Sequence, residues 1–183
     1  MPESSQRTDL IQRLGQVFRD RGYEGATLTQ LAAASGLSKA SLYHHFPGGK
    51  AEMADVLVRD AVAQAERLAF ARLRGPEPAE QRLQRFVEGF ADYLERSGGL
   101  CLLGVLALGS ARPTLGETIS TQFLDWQDRL TAVFEAGGHK PKGAARRAGE
   151  LLNVLYGAQM VSALTDDRRH LNRSLKRLAR LQT

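Results

Sequence analysis

From Thr27 to Lys50 the chain reads T-L-T-Q-L-A-A-A-S-G-L-S-K-A-S-L-Y-H-H-F-P-G-G-K, two short helical patterns held apart by a glycine. Thr27 can cap a first helix whose inner face carries Leu28, Leu31 and Ala32, with Ala33 and Ala34 favouring the helical state. Gly36 suits the left-handed conformation that ends such a helix. Ser38 then caps a second helix, in which Leu42 and Phe46 fall one turn apart on a common face. The turn between them, about three or four residues long, is what a helix-turn-helix requires. Two helices crossing at that range need a small side chain at the contact, which Ala32 supplies.

The polar positions of the second helix direct the motif towards a duplex. Lys39, Ala40, Ser41, Tyr43, His44 and His45 form an outer face of short and medium hydrogen-bonding side chains without an acid. Such a face can enter a major groove, its N-terminal residues nearest the base edges. After Phe46 and Pro47, Gly48, Gly49 and Lys50 open a further helix. Its first backbone amides and the Lys50 ammonium make a phosphate site. The alternative is a helical hairpin that merely packs, but the acid-free face, the tight turn and Lys50 at a helix start argue against it.

Gly22-Tyr23 ahead of Thr27, Leu31-Ala32 ahead of Gly36-Leu37-Ser38-Lys39, then Leu42-Tyr43-His44-His45-Phe46 and Lys50 resemble the DNA-binding domain of TetR-family transcriptional regulators. Pro47-Gly48-Gly49 makes the linker one residue longer than the commonest family form and is similar to the LmrA/YxaF-like branch. The resemblance covers roughly the first third of the chain. It implies phosphate contacts from Thr27, Tyr43 and Lys50, and places Lys39, Ala40, Ser41 and His44 near base edges, with Ser38 and His45 completing the DNA-binding set. It also implies a three-helix DNA-binding domain over residues 1–50. Residues 51–183 then form an effector-binding and dimerisation domain without a recognisable motif of its own.

Charge alone does not make this argument. The net charge is +5, yet residues 1–50 carry only six Lys/Arg against four Asp/Glu. The strongest basic run is at the other end, where Arg168, Arg169, Arg173, Lys176, Arg177 and Arg180 are followed by no acid; a solvated helix face explains it best. The first seven residues lack the apolar stretch of a signal peptide. The run Leu100–Leu108 is too short to span a bilayer. A single cysteine, Cys101, precludes an intrachain disulfide framework and reads as a buried, inert thiol. The expectation is a cytoplasmic chain with no membrane partner.

Outside the motif the periodicity is helical throughout, and no alternation of period two occurs. Stripes appear over residues 8–21 behind a Thr8 cap, from Ala51 to about Leu73, over Ala79–Ser97, Leu102–Ala111 and Pro113–Ala136, and over Gly143–Leu164. A final stripe carries Leu171, Leu175, Leu178 and Gln182. The fold class is all-α, with about nine helices. The helix after Lys50, running on into the second domain, is the natural mechanical link.

Large inward residues gather in that domain: Phe86, Phe90, Tyr93, Phe123, Trp126, Tyr156 and Met160. Rings on several helices leave either a packed core or a cavity for an apolar ligand. The residues alone favour core. The family resemblance implies an effector pocket, for which Phe90, Tyr93, Phe123, Trp126, Tyr156 and Met160 are the candidate lining. Leu155 and Val161, with Leu171, Leu175 and Leu178, form an apolar stripe that a symmetric four-helix homodimer interface would cover.

No metal spacing, phosphate loop or nucleophile elbow occurs. His44 and His45 project about 100° apart and cannot share a metal. Neither an enzyme nor a cofactor is expected. The expected protein is a homodimeric repressor on a palindromic operator in double-stranded DNA, released by a small apolar or aromatic effector. The competing classes are an all-α small-molecule-binding protein or enzyme whose N-terminal motif only packs, and an architectural DNA-coating protein that uses its basic tail.

Overall fold

The computed structural model describes residues 2–180. Among the described residues there are nine α-helices and no strand. They are α1 (Pro2–Gly25), α2 (Leu28–Ser35), α3 (Lys39–His45), α4 (Gly49–Leu68), α5 (Ala79–Arg96), α6 (Leu102–Leu106), α7 (Arg112–Ala136), α8 (Pro141–Thr165) and α9 (Arg169–Leu178). Short 3-10 turns occupy Phe70–Leu73 and Gly109–Ala111. Gln182, assigned to the last stripe, lies outside the described residues.

Two compact units emerge, and they do not follow a cut at residue 50. One comprises the chain up to Val62 together with Cys101–Ile119, the other Ala63–Leu100 with the chain from Ser120 onward. In the first, α1 packs on α2 and on α6. Leu14, Phe18, Ala26, Leu31, Leu42, Phe46, Met53 and Val58 are buried. The Glu24 carboxylate accepts the backbone N–H of Ser110, which ties the end of α1 to the turn after α6. This bond holds the Glu24 carboxyl below its ordinary pKa. It also explains why α6 is shorter than the periodicity suggests. Two glycines, Gly104 and Gly109, weaken the helix, and the amide of Ser110 is committed elsewhere.

Helix α1 begins well before Thr8, with Pro2 in its first turn, where a missing N–H costs nothing. It breaks in its last turn at Gly22, whose φ of 66° and ψ of −176° no helix accommodates.

The second unit overrides one helical stripe. The pattern from Ala51 predicts a helix to Leu73, but α4 stops at Leu68 and the chain tightens into the Phe70–Leu73 turn. The cause is tertiary. Gly89 of α5 lies so close that a Cβ there would stand 1.9 Å from the Leu68 carbonyl oxygen. The turn drives Phe70 into contact with Phe86, Phe90 and Trp126. Burying that ring offsets the lost helical bonds. At the other end of this unit α8 and α9 pack together. Just ahead of α9, Asp167 accepts from the Arg169 guanidinium and backbone N–H, which lowers its carboxyl pKa to about 2.

Candidate nucleic-acid interface

The surface that could meet a duplex is held by local bonds. Thr27 has extended backbone, and its hydroxyl oxygen accepts the N–H of Gln30 at 3.3 Å. The Gln30 side-chain oxygen accepts the N–H of Thr27 at 3.1 Å in return, a reciprocal capping box. The cap was legible in the sequence; the partner role of Gln30 was not assigned. Gly36 ends α2 at φ 72°, in the left-handed region. Ser38 caps α3 by accepting the Ser41 N–H at 3.0 Å, and Leu42 and Phe46 are buried beneath it.

What α3 leaves outside is Lys39, Ala40, Tyr43, His44 and His45, all exposed, with Ser38 exposed beside them. Ser41 is half-buried, and its hydroxyl lies 2.9 Å from that of Ser38. The His44 and His45 rings stand edge to face with centroids 6.0 Å apart. No Asp or Glu occurs between Ala26 and Ala51, so α2, the turn and α3 present donors and neutral groups only. A groove carrying one negative charge per ~1.7 Å selects for such a surface.

The start of α4 differs from expectation. Two amides at this junction are already engaged: the Gly48 N–H donates to Glu52 Oε2 at 2.7 Å, and the Gly49 N–H to the Phe46 carbonyl at 2.8 Å. Lys50 Nζ donates to the Tyr23 carbonyl at 2.8 Å and sits 4.5 Å above the Tyr23 ring. An ammonium has three donors, so this tie leaves two. Glu52 was readable as an acid in a first helical turn, where it complements the helix dipole. Tyr23 was legible only as part of the Gly22-Tyr23 pair that carries the resemblance, and its tie to Lys50 was not. The Tyr43 ring, 47% exposed, lies against Gly49, where a Cβ would come within 3.3 Å of it. At φ 64° the backbone there also favours glycine.

Residues 15–57 match the family model of the bacterial regulatory proteins of the tetR family. Residues 78–177 match that of the LmrA/YxaF-like transcriptional regulator C-terminal domain, which covers more than half of the chain. The chain is a TetR-family transcriptional regulator. It is similar to the HTH-type transcriptional regulator YxaF of Bacillus subtilis, 25% identical over 164 residues that span 87% of this chain and 85% of YxaF. A TetR-family regulator from Agrobacterium tumefaciens superposes with a TM-score of 0.79 at 22% identity, over 98% of this chain and 99% of that one. AibR, solved in complex with isovaleryl coenzyme A and operator DNA, shares the fold at a TM-score of 0.65 and 19% identity, over 83% of this chain and 86% of AibR. No helix among the described residues of the regulator is long and apolar enough to cross a membrane.

The second unit of the regulator separates the proposed pocket residues into three groups. Phe90, Tyr93 and Trp126 are fully buried. Trp126 stacks on Phe70, with centroids 4.4 Å apart and planes 8° from parallel, and Phe86 and Phe90 close around Phe70. This is a packed cluster whose centre, Phe70, went unassigned in the sequence. Phe123 and Tyr156 form a separate pair with centroids 5.4 Å apart, both half-buried. Met160 is 45% exposed and does not face inward: α8 turns Leu155, Ala158, Gln159 and Ser162 to the core, and Met160 falls on the opposite side.

The same rotation corrects the dimer stripe. Leu155, Leu171 and Leu178 are buried within a single chain, so they have no surface left to offer a partner. Leu175 is half-buried. The apolar groups that α8 exposes are Val154, Met160, Val161 and Leu164, with Gly157 among them. Cys101 is buried at the start of α6.

Proposed function

We propose that the regulator is a cytoplasmic, homodimeric repressor that binds a palindromic operator and leaves it when a small apolar molecule binds. Each subunit inserts α3 into a major groove. Lys39, Ala40, Ser41 and His44 lie near base edges, Thr27, Tyr43 and Lys50 reach phosphates, and Ser38 and His45 flank them. The observation that carries the reading is the exposed face of α3, free of carboxylates and set by two side-chain caps.

The spacing of Val154, Gly157, Met160, Val161 and Leu164 supports a two-fold helix-pair interface in place of the buried leucines. Such a stripe on one helix is what a symmetric contact covers. The half-buried Phe123–Tyr156 pair supports an apolar or aromatic effector better than the sealed Trp126 cluster does. AibR, a structural neighbour solved in complex with isovaleryl coenzyme A and operator DNA, supports the expectation of a small-molecule effector. Effector coupling of this kind amounts to about 1–3 kcal/mol, a several-fold to hundred-fold loss of operator affinity.

Selection of genomic fragments by the purified protein, followed by footprinting, tests the reading. It predicts a few enriched sites with two-fold symmetry and protection in two adjacent major grooves. Uniform retention of fragments with steep salt dependence would instead indicate a non-specific DNA-coating protein.

A further inference from the structure

The outer face of α3 fans in three directions. At ~100° per residue, Tyr43, His44 and His45 project differently, with His44 between the other two. Tyr43 leads to the start of α4, where its ring lies against Gly49 and Lys50 follows. His45 leads the other way. With Phe46 and Leu37 it lines an open groove of about 790 Å³, to which the start of α1 contributes Gln6, Arg7 and Leu10. Asp9 is the one acid among the lining residues, and Arg13 holds it at 2.9 Å. The Ser35 hydroxyl in the same groove is committed to the Leu31 carbonyl at 2.7 Å. Gln6, Arg7 and His45 are all exposed, and among the described residues none of the three has a hydrogen-bond or ion-pair partner. The groove therefore presents a guanidinium, a neutral amide and an imidazole, with its single carboxylate already matched.

We propose that Arg7, assisted by Gln6 and His45, contacts the DNA backbone on the side of α3 opposite Lys50. The inference rests on the reading of α3 as the helix that enters the major groove, and it extends that interface onto α1. A major groove is about 12 Å wide, and a phosphate strand borders it on each side. Tyr43 and Lys50 together serve one border. With His44 towards the bases, the His45 side of α3 faces the other border, and Arg7 is the cation that the fold places there. Its planar guanidinium can bridge two phosphate oxygens, a contact that fixes position and carries no sequence information. The groove is continuous with the acid-free face of α3, so its charge suits the same polyanion.

The experiment uses the full-length protein with two duplexes of equal length, one recovered by the genomic selection and one of random sequence. Affinity is measured for both over a salt series from ~50 to ~200 mM. Arg7→Gln should weaken both duplexes alike, by about tenfold or more at the lower salt. It should also flatten the log–log salt slope by about 0.9 per subunit, roughly 2 for a dimer. Arg7→Lys should restore most of both, since a phosphate accepts a point charge. Arg96→Gln removes the same charge from an exposed position in the last turn of α5 and should change neither. All three proteins should melt as wild type does. An unaltered slope for Arg7→Gln, or an equal change for Arg96→Gln, overturns the role of Arg7 and leaves sequence-specific binding by α3 intact. A selective loss on the recovered duplex, with altered preference at flanking A·T pairs, also overturns it, because Arg7 would then read a minor groove. A wild type that enriches no duplex removes the reading of α3, and the inference with it.

Discussion

Helix α3 and the ring cluster around Phe70 are held in opposite ways. The seven residues of α3 draw their geometry from near neighbours: Ser38 at its start, Leu42 bonded to Phe46 at its end, and Thr27 with Gln30 one helix earlier. Its other side is open to solvent. Phe70, Phe86, Phe90, Tyr93 and Trp126 come from three separate stretches and meet only through tertiary packing, with no exposed ring among them. The difference separates the two tasks. Side chains that must reach a duplex cannot also be core, so their positions are set by caps, and substitutions there change recognition more than stability. Rings that are core are set by packing, and substitutions there change stability first.

Trp126→Ala is the severest challenge to this contrast. Truncating a fully buried indole should cost about 3–5 kcal/mol in denaturant unfolding. A loss under ~1 kcal/mol would mean that the ring faces a ligand space and that the cluster is not core. Gly89→Ala comes next. Its methyl would collide with the Leu68 backbone, which cannot rotate away as a side chain can, and about 1–3 kcal/mol or more should be lost. A neutral result would show that α4 and α5 can separate freely, and would remove the reason given for the early end of α4.

Thr27→Ala removes one half of the α2 capping box. It should cost about 1 kcal/mol of stability, measured by the same unfolding assay, and Gln30→Ala less. If Thr27→Ala left stability unchanged while weakening DNA binding, Thr27 would belong to recognition alone. Tyr43→Phe is the mildest. The ring stays against Gly49, so stability should hold, while affinity for specific and random DNA should fall alike by about 0.5–1.5 kcal/mol. A selective loss on specific DNA would move Tyr43 from the phosphates to the bases.

The same contrast governs what could be read from the sequence. Thr27, Gly36 and Ser38 declared their roles because each acts on a residue at most a turn away. Lys50 was identified as a cation at a helix start, but its tie to Tyr23 crosses 27 positions and leaves no local pattern. Phe70 was hidden in the same way, since the periodicity from Ala51 favours a helix through it until Gly89 and Trp126 are present. Helix α8 misled differently. It is apolar around much of its circumference, so the pattern could not tell the core face of Leu155 from the exposed face of Met160 and Val161. Where hydrophobicity is broad, only packing assigns the faces.

The central claim is that α3 reads bases, and His44 is the residue that tests it most directly. Wild type and His44→Ala should be passed through selection on a randomised duplex library, with unfolding measured on both. The wild type should return a two-fold symmetric site. The His44→Ala protein, equally stable, should return the same site with relaxed preference at one symmetric pair of positions, worth about 1–3 kcal/mol per base pair. An unchanged preference across the whole site, or a wild type that enriches no sequence at all, would contradict it.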